Sequence, residues 1–72
     1  MASLSTVEVY RFLRAYQLLH GYPPKLREIA DGIDLSLTAV RNAVNTLVAV
    51  KTVIRRPRHP RGTYIPGMRG EL

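Results

Sequence analysis

The sequence predicts an α+β fold, with three helices followed by a two-stranded β-hairpin. Three observations carry that prediction. Apolar residues recur at helical spacing in three stretches between residues 4 and 50. Gly21 and the segment Asp34-Leu35-Ser36 separate those stretches as stop and turn signals. After Lys51 the pattern changes to two short β-prone runs around Pro57-Arg58-His59-Pro60-Arg61-Gly62. Seventy-two residues allow one small domain. The expected division is a folded domain over residues 1–66 and a flexible C-terminal tail over residues 67–72.

The first helix is expected to start at Ser5, which forms a capping-box pattern with Glu8 three residues on. Val9, Phe12, Leu13, Tyr16 and Leu19 then give one apolar stripe, with Arg11, Arg14 and Gln17 off it. Gly21 stands where a left-handed residue ends a helix. Tyr22-Pro23-Pro24 follows as an extended connector, because each proline disfavours helix in the residue before it. Tyr10 and Tyr16 read as core or its edge and Tyr22 as packing over the prolines, while Tyr64 is left open.

Pro24 near the first turn and Glu28 near the positive end of the dipole favour a second helix from Lys25. Its inner face is Leu26, Ile29, Ala30 and Ile33, and Gly32 is expected to stop it. Ser36 is a good N-cap for a third helix over residues 37–50. Val40, Val44 and Leu47 form its buried seam. At 100° per residue, Thr38, Asn42, Asn45 and Ala49 fall on the opposite face and Arg41 on the flank. Thr52–Arg56 reads as a strand and Thr63–Ile65 as its return, a hairpin with a cationic tip.

Charge is distributed unevenly. Residues 1–34 carry four cations and four carboxylates, whereas residues 35–72 carry seven cations against Glu71 alone. The whole net charge of +6 therefore belongs to the second half, which points to a polyanionic partner. Six of those seven cations are arginine, the residue suited to bidentate contact with phosphates and base edges. A solvated helix face normally carries Glu and Lys. Thr, Asn, Asn and Arg on the third helix accept a cost in helix propensity, and Asn can bond adenine N6 and N7 together in a major groove.

Other classes lose support. Zero cysteines exclude disulfides and thiolate zinc sites, and the two histidines, His20 and His59, lie far apart. No metal and no cofactor is expected. The uncharged runs are far shorter than the roughly 20 residues that span a bilayer, and Met1-Ala2-Ser3-Leu4 lacks the pattern of a signal peptide. No membrane partner and a cytoplasmic, nucleoid-associated location follow as expectations. Glu28 and Asp31 are the only carboxylates close on one helix, and no serine has a histidine placed as its base, so no enzyme is expected.

Helix, helix, turn, polar-faced helix and basic hairpin together make a winged helix-turn-helix. Gly21-Tyr22-Pro23-Pro24 followed by Arg27-Glu28-Ile29-Ala30 resembles the core of LexA-type repressor DNA-binding domains. Leu35-Ser36, Val40 and Ile54-Arg55-Arg56 extend the resemblance to residues 4–65. Two positions depart from the pattern: Lys25 replaces a small polar cap, and Thr52 replaces a glycine before the wing. Family members continue into a self-cleaving Ser/Lys protease domain. This sequence ends at Leu72, so cleavage and damage-triggered induction are not expected of it.

The resemblance implies base reading by Thr38, Arg41, Asn42 and Asn45, with Ser36 and the wing residues Arg55, Arg56, Arg58, His59 and Arg61 on the phosphate backbone. Lys25 and Arg27, at the start of the second helix, are expected to add backbone contacts. The expected function is sequence-specific binding of double-stranded DNA by a transcriptional regulator, read as a repressor. Its setting would be prokaryotic, viral or plasmid. Val48 and Val50 are candidates for a homodimer contact, and packing of both under the first helix or the wing is the alternative. The competing function is a winged-helix adaptor or anti-repressor that binds an acidic protein.

Overall fold

Ser3, not Ser5, starts the first helix. In the structure, a computed structural model that describes residues 3–69, α1 spans Leu4–His20. The Ser3 hydroxyl accepts the Thr6 amide at 3.2 Å and lies 3.0 Å from the Thr6 hydroxyl. This start puts Thr6 in the first turn on the buried face, with its hydroxyl satisfied by Ser3.

The buried face of α1 is centred on Val9, Leu13 and Gln17. Leu19, expected on that face, is 75% exposed, while Gln17, expected outside it, is fully buried. Two residues further on is about 200° further round the helix, so burying 17 turns 19 to solvent. The Gln17 amide compensates for its own burial. Its Nε2 donates to the Ile65 carbonyl at 2.9 Å, and its Oε1 accepts the Ile65 amide at 2.9 Å. One side chain thus replaces the neighbouring strand that Ile65 lacks, and both backbone groups are satisfied.

Gly21 ends α1 in the left-handed region, at φ 75°, with its amide on the Gln17 carbonyl. Arg69 donates to the Leu18 carbonyl at 2.7 Å, a cation at the negative end of the helix dipole. Met68 packs against the core. The segment expected as a tail from residue 67 is therefore docked through Arg69, and its residues 70–72 lie outside the described residues.

Helix α2 spans Leu26–Ile33. Its N-cap is Lys25, whose ammonium has no lone pair to offer, so only the reciprocal half of a capping box forms: Glu28 Oε1 accepts the Lys25 amide at 2.7 Å. Gly32 does not stop this helix. It lies inside α2, where a Cβ would come 2.2 Å from Phe12 Cε2, so it permits the close approach of α1 and α2. The stop is Asp34, in the left-handed region at φ 55°, a conformation that Asp tolerates.

Helix α3 spans Leu37–Ala49, with the Ser36 hydroxyl accepting the Ala39 amide at 3.1 Å. Val40, Val44 and Leu47 face inward as expected from the seam, and Ala43 is buried beside them. Lys51, at φ 63°, closes α3 in a Schellman turn, its amide on the Val48 carbonyl and the Thr52 amide on the Leu47 carbonyl.

The strands are shorter than the sequence predicts. β1 is Ile54–Arg55 and β2 is Thr63–Tyr64, antiparallel, with Ile54 opposite Tyr64 and Arg55 opposite Thr63. Val53, expected within the first strand, is instead drawn into the core, where it is 1% exposed. Tyr64 is buried too, which settles the side of the wing it faces. Three helices packed pairwise and this ribbon form a winged helix, an α+β fold. Among the described residues, no helix is long and apolar enough to cross a membrane.

Candidate nucleic-acid interface

The outer face of α3 follows from its inner face. Burying Val40, Val44 and Leu47 turns Thr38, Arg41, Asn42, Asn45 and Thr46 to solvent, and all five are exposed. Thr46 donates its hydroxyl to the Asn42 carbonyl at 3.1 Å, a bond back into its own helix. Among the described residues, the side chains of Thr38, Arg41, Asn42 and Asn45 make no hydrogen bond or ion pair, so their donors and acceptors stay directed at solvent. Ser36 is exposed as well, although its hydroxyl is engaged in the cap.

The wing tip is built on a tight backbone. Arg56 donates its amide to the Gly62 carbonyl at 2.8 Å, and Gly62 donates to the His59 carbonyl at 3.0 Å. A Cβ on Gly62 would stand 2.6 Å from the Arg56 carbonyl oxygen, so the hairpin closes only with glycine there. Arg55, Arg56, Arg58 and His59 are exposed and, with Pro57 and Pro60, line an open concavity of about 620 Å³. The Arg56 guanidinium lies 5.7 Å from the Tyr64 ring centroid. His59 Nδ1 accepts the Arg61 amide at 3.2 Å, shaping the turn.

Arg61 does not join its neighbours at the surface of the wing. Its guanidinium turns back to Glu28, with Nη1 to Oε1 at 2.8 Å and Nη2 to Oε2 at 3.2 Å. Nη1 also donates to the Pro23 carbonyl at 3.0 Å and to the Tyr16 hydroxyl at 3.3 Å. Tyr16 in turn donates to Glu28 Oε2 at 3.3 Å. The Tyr22 ring takes the Arg61 guanidinium over its face at 4.8 Å and meets the Tyr16 ring in a T-shaped arrangement at 5.8 Å. The Lys25 amide, then the Arg61 guanidinium, hold the Glu28 carboxyl below its ordinary pKa against the opposing effect of burial.

A depressed carboxyl pKa has a definite consequence for stability. Glu28 contributes stability that is present above its unfolded pKa and lost as pH falls through the lower folded value. The melting temperature is therefore expected to fall on acidification below about pH 4. For Glu28→Gln the fall should be shallower, checked by thermal melts across pH 2–6.

Of the seven cations in the second half of the sequence, Arg61 and Arg69 are tied to the body of the domain. Nothing local marks either as structural: Arg61 is 33 residues from Glu28, and Arg69 is 51 from Leu18. The burial of Gln17 did have a signal, since residues 9, 13 and 17 are spaced at successive helical turns. Lys25 and Arg27 are exposed at the start of α2. Val48 is half-buried and packed against the core, and Val50 is 65% exposed. Of these two valines, only Val50 projects freely.

Comparison with known proteins agrees with the resemblance read from the sequence. The chain is 36% identical over 50 residues to the LexA repressor of Clostridium novyi (strain NT), a match covering 69% of this chain and 24% of that protein. It is 34% identical over 61 residues to the LexA repressor of Mycobacterium leprae (strain Br4923), covering 83% of this chain and 26% of that one. The chain thus spans about a quarter of the length of the curated relatives it matches. No family model matches it.

Proposed function

We infer that this winged helix, similar in sequence to part of two LexA repressors, is the duplex-DNA-binding domain of a transcriptional regulator, most simply a repressor. Helix α3 enters the major groove, where Asn42 and Asn45 read base edges with Thr38 and Arg41 beside them. Arg55, Arg56, Arg58 and His59 of the wing meet phosphates or the minor groove. Ser36, Lys25 and Arg27 contribute to the backbone grip.

The observation that carries this reading is the outer face of α3. There Thr38, Arg41, Asn42 and Asn45 form an exposed row of hydrogen-bonding side chains without intramolecular partners among the described residues, where a solvated helix would carry Glu and Lys. A major groove about 12 Å wide admits one such helix, and Asn there pairs bidentately with adenine. The bare donors and acceptors on that face match this use.

Selection from random duplexes at near-physiological salt tests the proposal. An enriched motif is expected, with affinity falling as salt rises. If the three exposed wing arginines, Lys25 and Arg27 each neutralise one phosphate, the log–log slope should be about −4 to −5. A domain that enriches no motif and binds duplexes without that salt dependence would not be a DNA reader. The competing reading, a module for an acidic protein, would then replace it.

A further inference from the structure

We propose that Arg61 is a positioning residue of the wing and not a phosphate contact: by gripping Glu28, it sets the pose in which the other wing arginines meet DNA. This rests on the DNA-binding reading above and adds to it a division of labour among the wing arginines.

The wing needs such an anchor. Each strand is two residues long, so its ladder alone fixes little. Arg61 stands at the base of the turn, its amide already held by His59. From there its guanidinium reaches α1 through Tyr16, the connector through Pro23, and α2 through Glu28. The wing is thereby tied to the two helices that precede α3. Arginine suits this role because its planar fork takes both carboxylate oxygens while its face lies on an aromatic ring.

The same contacts argue against a phosphate role. The guanidinium is bidentate on a carboxylate and has two further oxygen acceptors. Turning it to DNA would break these bonds and leave the Glu28 carboxylate without its ion-pair partner. Kept together, the pair is electrically neutral and adds almost nothing to attraction for a polyanion.

The two roles predict opposite signs for a change at Glu28. If Arg61 served phosphate, removing the neighbouring carboxylate would tighten DNA binding. If Arg61 positions the wing, the same change loosens it.

The experiment measures duplex affinity against salt for the full chain and for Glu28→Gln, Arg61→Gln, Arg61→Lys, the double variant Glu28→Gln/Arg61→Gln, and Arg58→Gln. Circular dichroism checks that each is folded at the assay temperature. Arg61→Gln and Glu28→Gln are each expected to weaken binding about 5–10-fold with no change of slope, and the double variant no more than Arg61→Gln alone. Arg61→Lys, which keeps the charge but not the fork, should weaken binding nearly as much as Arg61→Gln. Arg58→Gln should make the slope shallower by about 0.9.

Tighter or unchanged binding by Glu28→Gln overturns the proposal, as does a shallower slope for Arg61→Gln. Should Glu28→Gln or Arg61→Gln fail to fold, Arg61→Lys decides, with unchanged binding counting against the positioning role. Absence of salt-sensitive binding by the unaltered chain would defeat the DNA reading and this inference with it. A reversed sign in a chain that does bind defeats only the inference.

Discussion

Gln17→Leu is expected to destabilise the domain by about 2–4 kcal/mol. The substitution nearly conserves volume but strands two buried backbone groups, the amide and the carbonyl of Ile65. Each buried polar group left without a partner costs about 1–3 kcal/mol, and leucine's greater affinity for the core offsets part of that. Total stability for a chain of this length is about 4–11 kcal/mol, so the loss would be a large fraction of it. Urea unfolding checks this through a lower midpoint at unchanged slope. An unfolding free energy within about 0.5 kcal/mol of the parent, the range of ordinary surface substitutions, would show that Ile65 finds other partners.

Gln17→Glu sharpens the same test through pH. A neutral carboxyl can still donate to the Ile65 carbonyl and accept its amide, whereas a carboxylate at this fully buried position cannot donate and is poorly solvated. Burial raises the folded pKa of such a group. The variant should therefore be most stable below the unfolded carboxyl pKa and lose stability as pH rises from there through the raised folded value. That slope is opposite in sign to the one expected from Glu28 in the parent, so the two carboxyls can be separated in a single pH series.

What was legible in the sequence, and what was not, divides by distance along the chain. The faces of α3 followed from its own periodicity, because a helix that buries Val40, Val44 and Leu47 must expose Asn42 and Asn45. The cap at Ser36 was equally local. Residue chemistry is a poorer guide to burial on α1 and α2. The apolar stripe through Phe12 and Tyr16 leads to Leu19, whereas the spacing of Val9 and Leu13 alone leads to Gln17, and the fold buries the second row. The core accepts that glutamine because Ile65 completes its hydrogen bonding, and that pairing spans 48 residues. Gly32 carries the local signature of a helix stop, but the Phe12 ring that requires it lies on another helix. The Arg61–Glu28 pair was beyond reach too, since an arginine among prolines and arginines carries no local sign that it turns inward.

Replacing the asparagines of α3 and the arginines of the wing should separate specificity from affinity. Asn42→Ala and Asn45→Ala are each expected to cost about 1–3 kcal/mol on the selected duplex and almost nothing on random sequence, because the lost contacts are to base edges. Neither side chain has an intramolecular partner among the described residues, and alanine is the better helix former by about 0.5 kcal/mol. Both variants should therefore melt slightly higher while binding their site more weakly. That opposition of signs excludes unfolding as the cause. The triple variant Arg55→Gln/Arg56→Gln/Arg58→Gln should behave differently, weakening every duplex alike by about 100-fold and making the salt slope shallower by about 2.7. Its preference for the selected site over random sequence should persist, since phosphate contacts carry no sequence information. Fluorescence titration of the selected and a scrambled duplex at three salt concentrations measures both quantities. If the asparagine variants keep full preference for the site, α3 is not the reading helix. A triple variant with an unchanged slope would show instead that the wing does not reach the backbone.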